Sequence, residues 1–184
     1  MALQSQAADP TFLKFVENSR WEKNGVVFAT LHIIGSNNNL QRNAQSAVEY
    51  FERNAANLAW INGAFESARQ TGARAVVLAF QADPWWTFDG EEEKRSGYTD
   101  TVQAIKANVL RFGKPVLIVH GDQHRFIVDK PLMQNGKLIY NATRLMVYGE
   151  TEVQGVLVTV DPDDADVFSF RSLTVPENLP AAGR

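Results

Sequence analysis

Residues 119–124 read Val119-His120-Gly121-Asp122-Gln123-His124. An apolar run that ends in Gly, Asp and His places short-reach oxygen and nitrogen donors on a tight turn. The glycine lets the backbone bend so that the Asp122 and His124 side chains can converge. Carboxylate oxygen and imidazole nitrogen suit Zn, Mn or Fe. The same segment also fits a plain strand-end turn, with Asp122 bonded to backbone amides and His124 simply exposed.

The elements around this turn must place it. Residues 25–34 are β-branched and apolar, a pattern that predicts a buried strand. The strand ends at Gly35, followed by Ser36-Asn37-Asn38-Asn39. Residues 43–71 repeat positions every three or four residues, with Val48, Phe51, Ala55, Leu58, Ile61 or Asn62, Phe65 and Ala68 on one face. That spacing predicts a long helix with Gly72 as its stop. Residues 75–80 predict a second strand, with Gln81 at its carboxyl end. A helix is expected over 99–112, capped by Gly113, and a third strand over 115–120.

Strand, helix, strand, helix, strand implies a parallel sheet with right-handed crossovers. Short strands are expected at about 125–129, 138–148, 153–161 and 166–173, separated by turns such as Asn135-Gly136. These are expected to be antiparallel. The fold class is therefore α/β (α+β), a β-α-β-α-β parallel segment followed by antiparallel strands. Residues 1–24 are weakly patterned, with a short helix expected at 11–16. Residues 25–175 form one domain, and 176–184 a tail.

In open parallel sheets, ligands bind beyond the carboxyl ends of the strands. Three such ends carry Gly35 to Asn39, Gln81 to Pro84, and His120 to His124. Asn37 and Asn38 are candidates for substrate contact, although Asn-rich loops also serve as plain turns. Asp83, which precedes a proline, fits an Asx turn better than a ligand. His120 is placed to support a ligand through a hydrogen bond, or to be a satisfied core histidine. His32 falls inside the first strand and is expected to face a packed layer. Trp85 and Trp86 suit an apolar lip or an interface. Residues 91–95 suit a solvated face.

Composition narrows the classes. Eighteen basic and 21 acidic residues give a net charge of -3. No basic stripe supports nucleic-acid binding. No apolar run approaches the roughly 18 residues of a membrane span. With no cysteine in the chain, a disulfide or thiolate site is impossible, so a metal would be held by His, carboxylate or amide oxygen. The first ten residues show no signal-peptide h-region, which leaves the compartment unassigned.

Several segments together carry a resemblance. They are Glu17-Asn18-Ser19-Arg20-Trp21, Gly35 to Asn39, Gln81-Ala82-Asp83-Pro84, and Val119 to His124, extended by Phe126, Asp129-Lys130-Pro131-Leu132 and Thr143-Arg144. Their order and spacing resemble the C-terminal half of the calcineurin-like metallophosphoesterase family, in a bacterial subgroup with ENxRW, GSNNN, QADP and VHGDxH segments. The resemblance implies half of an α/β/β/α sandwich and hydrolysis of a small phosphoester by water activated on divalent cations (Mn, Fe, Zn or Mg). By position it assigns Gln81, Asp122 and His124 as metal ligands, with Asp122 and His124 catalytic. From the residues themselves, Asn37, Asn38 and Arg144 are candidates for contact with a phosphate, although a lone Arg also serves as an ordinary surface residue, and His120 is the candidate for a supporting role. Only His124 keeps the usual residue type. The family's upstream DxH, GDxx and Asn-bearing motifs have no counterpart before Gly25. One metal site rather than two is thus expected. The alternative is a non-catalytic remnant that pairs with the missing N-terminal half, or with a second copy, through an exposed sheet.

Overall fold

The computed structural model describes residues 2–85, 96–150 and 153–179. Trp86 and residues 91–95 lie outside the described residues. A seven-stranded sheet takes its strands in the order β1 (Gln4–Ser5), β2 (Ser19–Lys23), β3 (Val26–Thr30), β4 (Ala75–Ala79), β5 (Val116–His120), β9 (Ala142–Met146) and β6 (Ile127–Asp129). As expected, β3, β4 and β5 are parallel, with Ala29 opposite Leu78 and Leu78 opposite Ile118. The crossovers are α1 (Ala44–Gln70) and α2 (Thr99–Phe112).

Alternation along each parallel strand fills both faces of the sheet. Val27, Ala29, Val76, Leu78, Val116 and Ile118 face the helices, together with Ile61, Phe65, Ile105 and Val109. Val26, Ala75, Val77, Leu117 and Leu145 face the other way. There they meet a separate two-stranded antiparallel sheet of β10 (Gly155–Val160) and β11 (Phe168–Leu173).

Three sequence expectations change. The strand expected at 138–148 is β9, and it pairs parallel with β5, Ile118 lying opposite Arg144. Its antiparallel neighbour is β6. Between them a small hairpin, β7 (Met133–Gln134) and β8 (Lys137–Leu138), turns the chain. The Asn135-Gly136 turn, with φ of 50° and 74°, is real. It reverses this hairpin rather than the main-sheet strands, so β9 re-enters in the direction of β5.

The weakly patterned N-terminus also contributes β1 and β2, the latter antiparallel to β3. Instead of a helix at 11–16, a 3-10 turn spans Pro10–Phe12, and Asp9 Oδ1 accepts from Thr11 N at 2.8 Å.

The third change concerns α1. It starts where Asn43 Oδ1 accepts from Ser46 N at 2.8 Å, an N-cap bond that satisfies one of the first-turn donors. Its second half buries Ile61, Phe65 and Ala68 as expected. Its first half is reversed. Val48 is 65% and Phe51 64% exposed, while Arg53, Asn54 and Asn57 are buried. Arg53 and Asn57 are bonded to loop and N-terminal groups and Asn54 Nδ2 to Asp100 of α2, which apolar periodicity does not register.

Candidate functional site

The strand ends converge as the parallel register requires. Gly35 N donates to Gln81 Oε1 at 2.7 Å, and Gln81 Nε2 donates to Asp122 Oδ1 at 3.2 Å. Asp83 N donates to the other Asp122 oxygen at 3.0 Å. A Cβ on Gly35 would lie 3.1 Å from Asp122 Oδ1, so a larger residue would crowd the carboxylate. One carboxylate thus ties together the loops after β3, β4 and β5.

His124 does not join them. Its ring lies over Gly149, where any Cβ would overlap it, and it makes no hydrogen bond to Gln81 or Asp122. Both Asp122 and His124 adopt positive φ, 82° and 56°, so the turn is tighter than an ordinary strand end.

Asp83 is buried and forms the expected Asx turn, its Oδ1 accepting from Trp85 N at 2.9 Å. It also lies 3.6 Å from Arg144 and 3.9 Å from His120 Nε2. Arg144 is occupied. It donates from Nε to Asp129 Oδ1 at 2.7 Å, pairs through a second nitrogen with Asp129 Oδ2, and lies over the Trp85 ring. A phosphate would have to displace Asp129 to reach it. Asp129 was legible only as part of the family-like segment, because nothing local marks it as the partner of Arg144.

His120 is 1% exposed, between Phe80 and Trp85. Its Nδ1 meets Gly121 O at 3.0 Å, and its Nε2 has no hydrogen-bond partner. Desolvation pushes its pKa below the ordinary 6.5, and the Asp83 charge offsets only part of that. The folded state thus favours neutral imidazole. Its stabilisation is complete above the unfolded pKa and declines as pH falls through 6.5 toward the lower folded value. His120→Phe keeps the stack and removes the proton site. Urea midpoints between pH 7.5 and 5 should fall less steeply for this variant than for the wild type. Equal slopes would show that His120 takes no part.

The Asn-rich loop serves the fold. Asn37, Asn38 and Asn39 have φ of 46°, 52° and 64°. Asn37 Oδ1 accepts from Gly97 N at 2.8 Å, and Asn38 Nδ2 donates to Gly97 O at 2.9 Å. Gly97 has no room for a Cβ against Asn37 O. Arg53 donates to Asn38 Oδ1, Asn38 O and His32 O at 2.5, 2.9 and 3.0 Å, and Glu49 completes its shell. Arg53 escaped the sequence reading because it sits on a helix face assigned from apolar residues alone. His32 lies beyond the end of β3, half-buried, with Nδ1 against the Glu17 carboxylate. It is not inside a strand facing a packed layer.

The fit to divalent cations can be tested on these donors. A cation between Gln81 and Asp122 would need the amide oxygen. That oxygen is fixed toward Gly35 N–H, so the NH2 group faces the carboxylate. Among the described residues no three His, Asp or Glu side chains gather to hold an ion. Among the described residues the donor set does not fit a two-cation centre.

No protein-family model matches the chain, and no curated protein matches it. Among the described residues no helix is long and apolar enough to cross a membrane.

Proposed function

We propose that this chain is the C-terminal half of a metallophosphoesterase-like hydrolase. In this reading it pairs with a complementary N-terminal half and does not turn over phosphoesters alone. The observation that carries the reading is the uneven cover of the main sheet. One face is sealed by α1 and α2. The other has only β10 and β11 over it, and Phe28, Val119, Phe126, Val147, Val156, Val158 and Phe170 stay half-buried. Trp21 stacks on Phe28 at 5.3 Å and is itself half-buried. A two-stranded sheet is marginal by itself and offers unpaired edges. Further strands beside β10 and β11 would cover Trp21 and Phe28. They would also bring new side chains toward the carboxyl ends, where Asp122 holds the edge together. The closed Gln81–Asp122–Asp83 arrangement supports the same reading, because cation ligands would then have to come from the other half.

The test is a phosphoesterase assay on the isolated chain with p-nitrophenyl phosphate and Mn, Fe, Zn or Mg. Background rates are expected, unchanged by Asp122→Ala or His124→Ala. Cation-dependent turnover that Asp122→Ala removes would overturn the half-site reading. Dye binding and gel filtration at several concentrations check the open face. A compact monomer that binds no apolar dye would count against pairing.

A further inference from the structure

The outward face of the first half of α1 carries Val48 and Phe51, a helical turn apart and 65% and 64% exposed. Leu13 and Val16, 64% and 66% exposed, lie beside them, because Lys14 Nζ between the two reaches Glu52 Oε2 at 2.8 Å. We propose that this face joins two copies of the chain in a twofold dimer, with Phe51 as its anchor.

Exposed apolar side chains scattered singly need no explanation, but these four adjoin one another. At their exposures they offer on the order of 400 Å2 of apolar surface, a size that marks an interaction site. Two such faces with their rims bury roughly 1,000 Å2 in total, the lower bound for a specific contact. Phe51 is also ordered before any partner arrives. Its ring meets the buried Tyr50 ring edge-on, with 5.1 Å between centroids, so little rotamer freedom is lost on docking. Ordered aromatic rings near the centre of an interface carry much of its energy.

The charges select a second copy as the occupant. A twofold contact lays a surface against itself, so that surface must be self-complementary. Here Lys14 and Glu52 sit among the apolar side chains as a matched pair. Across the twofold each Lys14 meets the Glu52 of its mate as well as its own. The net charge of -3 does little to hold two copies apart. The face lies on the helix side of the main sheet, away from the side that β10 and β11 partly cover. It therefore does not compete with pairing to a complementary half.

The test is sedimentation velocity of the whole chain in low salt, from about 10 μM to 1 mM. Concentration-dependent exchange between monomer and dimer is expected. Phe51→Glu should weaken it by about ten-fold or more, with thermal unfolding close to wild type because the side chain is exposed. Leu138→Glu puts the same charge on an exposed residue of β8 and should leave association unchanged. Lys14→Glu and Glu52→Lys should each weaken self-association. An equimolar mixture of those two variants should restore it as a heterodimer, because each anion then faces a cation. The proposal fails if the wild type stays monomeric throughout, as it would if this face served a different partner. It also fails if Phe51→Glu associates as the wild type does, if Leu138→Glu weakens association equally, or if the mixture associates no better than its components. Apolar dye binding on the monomeric Phe51→Glu chain reads the open sheet separately, so failure of the dimer and failure of the half-hydrolase reading are told apart.

Discussion

Replacing Arg53 with methionine is expected to destabilise the fold by about 3–5 kcal/mol, read as a lowered urea midpoint at constant slope. Arg53 is almost completely buried, yet its carboxylate partner Glu49 is 44% exposed. The ion pair is thus the smaller part of its role. The Arg53 fork holds the Glu49 carboxyl below its ordinary value, but a half-exposed carboxylate can turn to water when the guanidinium leaves. Asn38 Oδ1 and Asn38 O cannot do so, since they accept from Arg53 inside the protein, whereas His32 O keeps the bond from Asn57 Nδ2. Each orphaned acceptor costs on the order of 1–3 kcal/mol. Glu49→Gln separates the two contributions and should cost less than about 1 kcal/mol. Arg53→Lys keeps the charge but cannot serve all three acceptors, so it should fall between. If Glu49→Gln proved as damaging as Arg53→Met, the ion pair and not the loop acceptors would be the source. Amide exchange at Asn38 and Gly97 gives a local readout, because these residues lose their anchor first.

The same residue shows where sequence reasoning stops. Parallel strand order was legible, since buried β-branched runs separated by amphipathic helices leave few other arrangements. The meeting of Gln81 with Asp122 follows from that order, because both residues end neighbouring strands in one direction. The bounds of α2 were legible for a related reason, Gly113 taking φ of 67° at its end. Partners chosen by tertiary contact were not legible. Asp129 and Arg144 meet only because β6 lies antiparallel beside β9. The His124 ring lies against Gly149, from the loop after β9, a contact that nothing local to the turn marks. The first half of α1 misleads for a third reason. Periodicity finds the apolar face, and here the buried face carries Arg53, Asn54 and Asn57, whose nitrogens donate across to other elements.

That polar face makes a second sharp demand at Asn18. Its Nδ2 donates to Gln6 Oε1 at 2.7 Å and to Asn57 Oδ1 at 3.0 Å, while its Oδ1 accepts from His32 N at 2.7 Å. The neighbours cannot reverse, because Gln6 Nε2 is committed to Ala56 O and Asn57 Nδ2 to His32 O, each at 2.7 Å. Asn18→Asp changes almost no volume and turns two donors into acceptors that face acceptors. At neutral pH it should cost about 3–5 kcal/mol, as a buried charge without a partner does. Asn18→Ala adds no charge and should cost about 2–3 kcal/mol. The introduced carboxyl is desolvated, so its folded pKa lies above the unfolded one. Its penalty is therefore full above the folded value and shrinks as pH falls toward the unfolded value. Urea midpoints at pH 7.5 and 4.5 should draw together for Asn18→Asp and wild type, but not for Asn18→Ala and wild type. Limited proteolysis should cut first within residues 4–18, which this network fastens to α1. An Asn18→Asp protein as stable as the wild type at neutral pH would mean that apolar contacts, and not the directed amides, hold the N-terminal edge of the sheet in place.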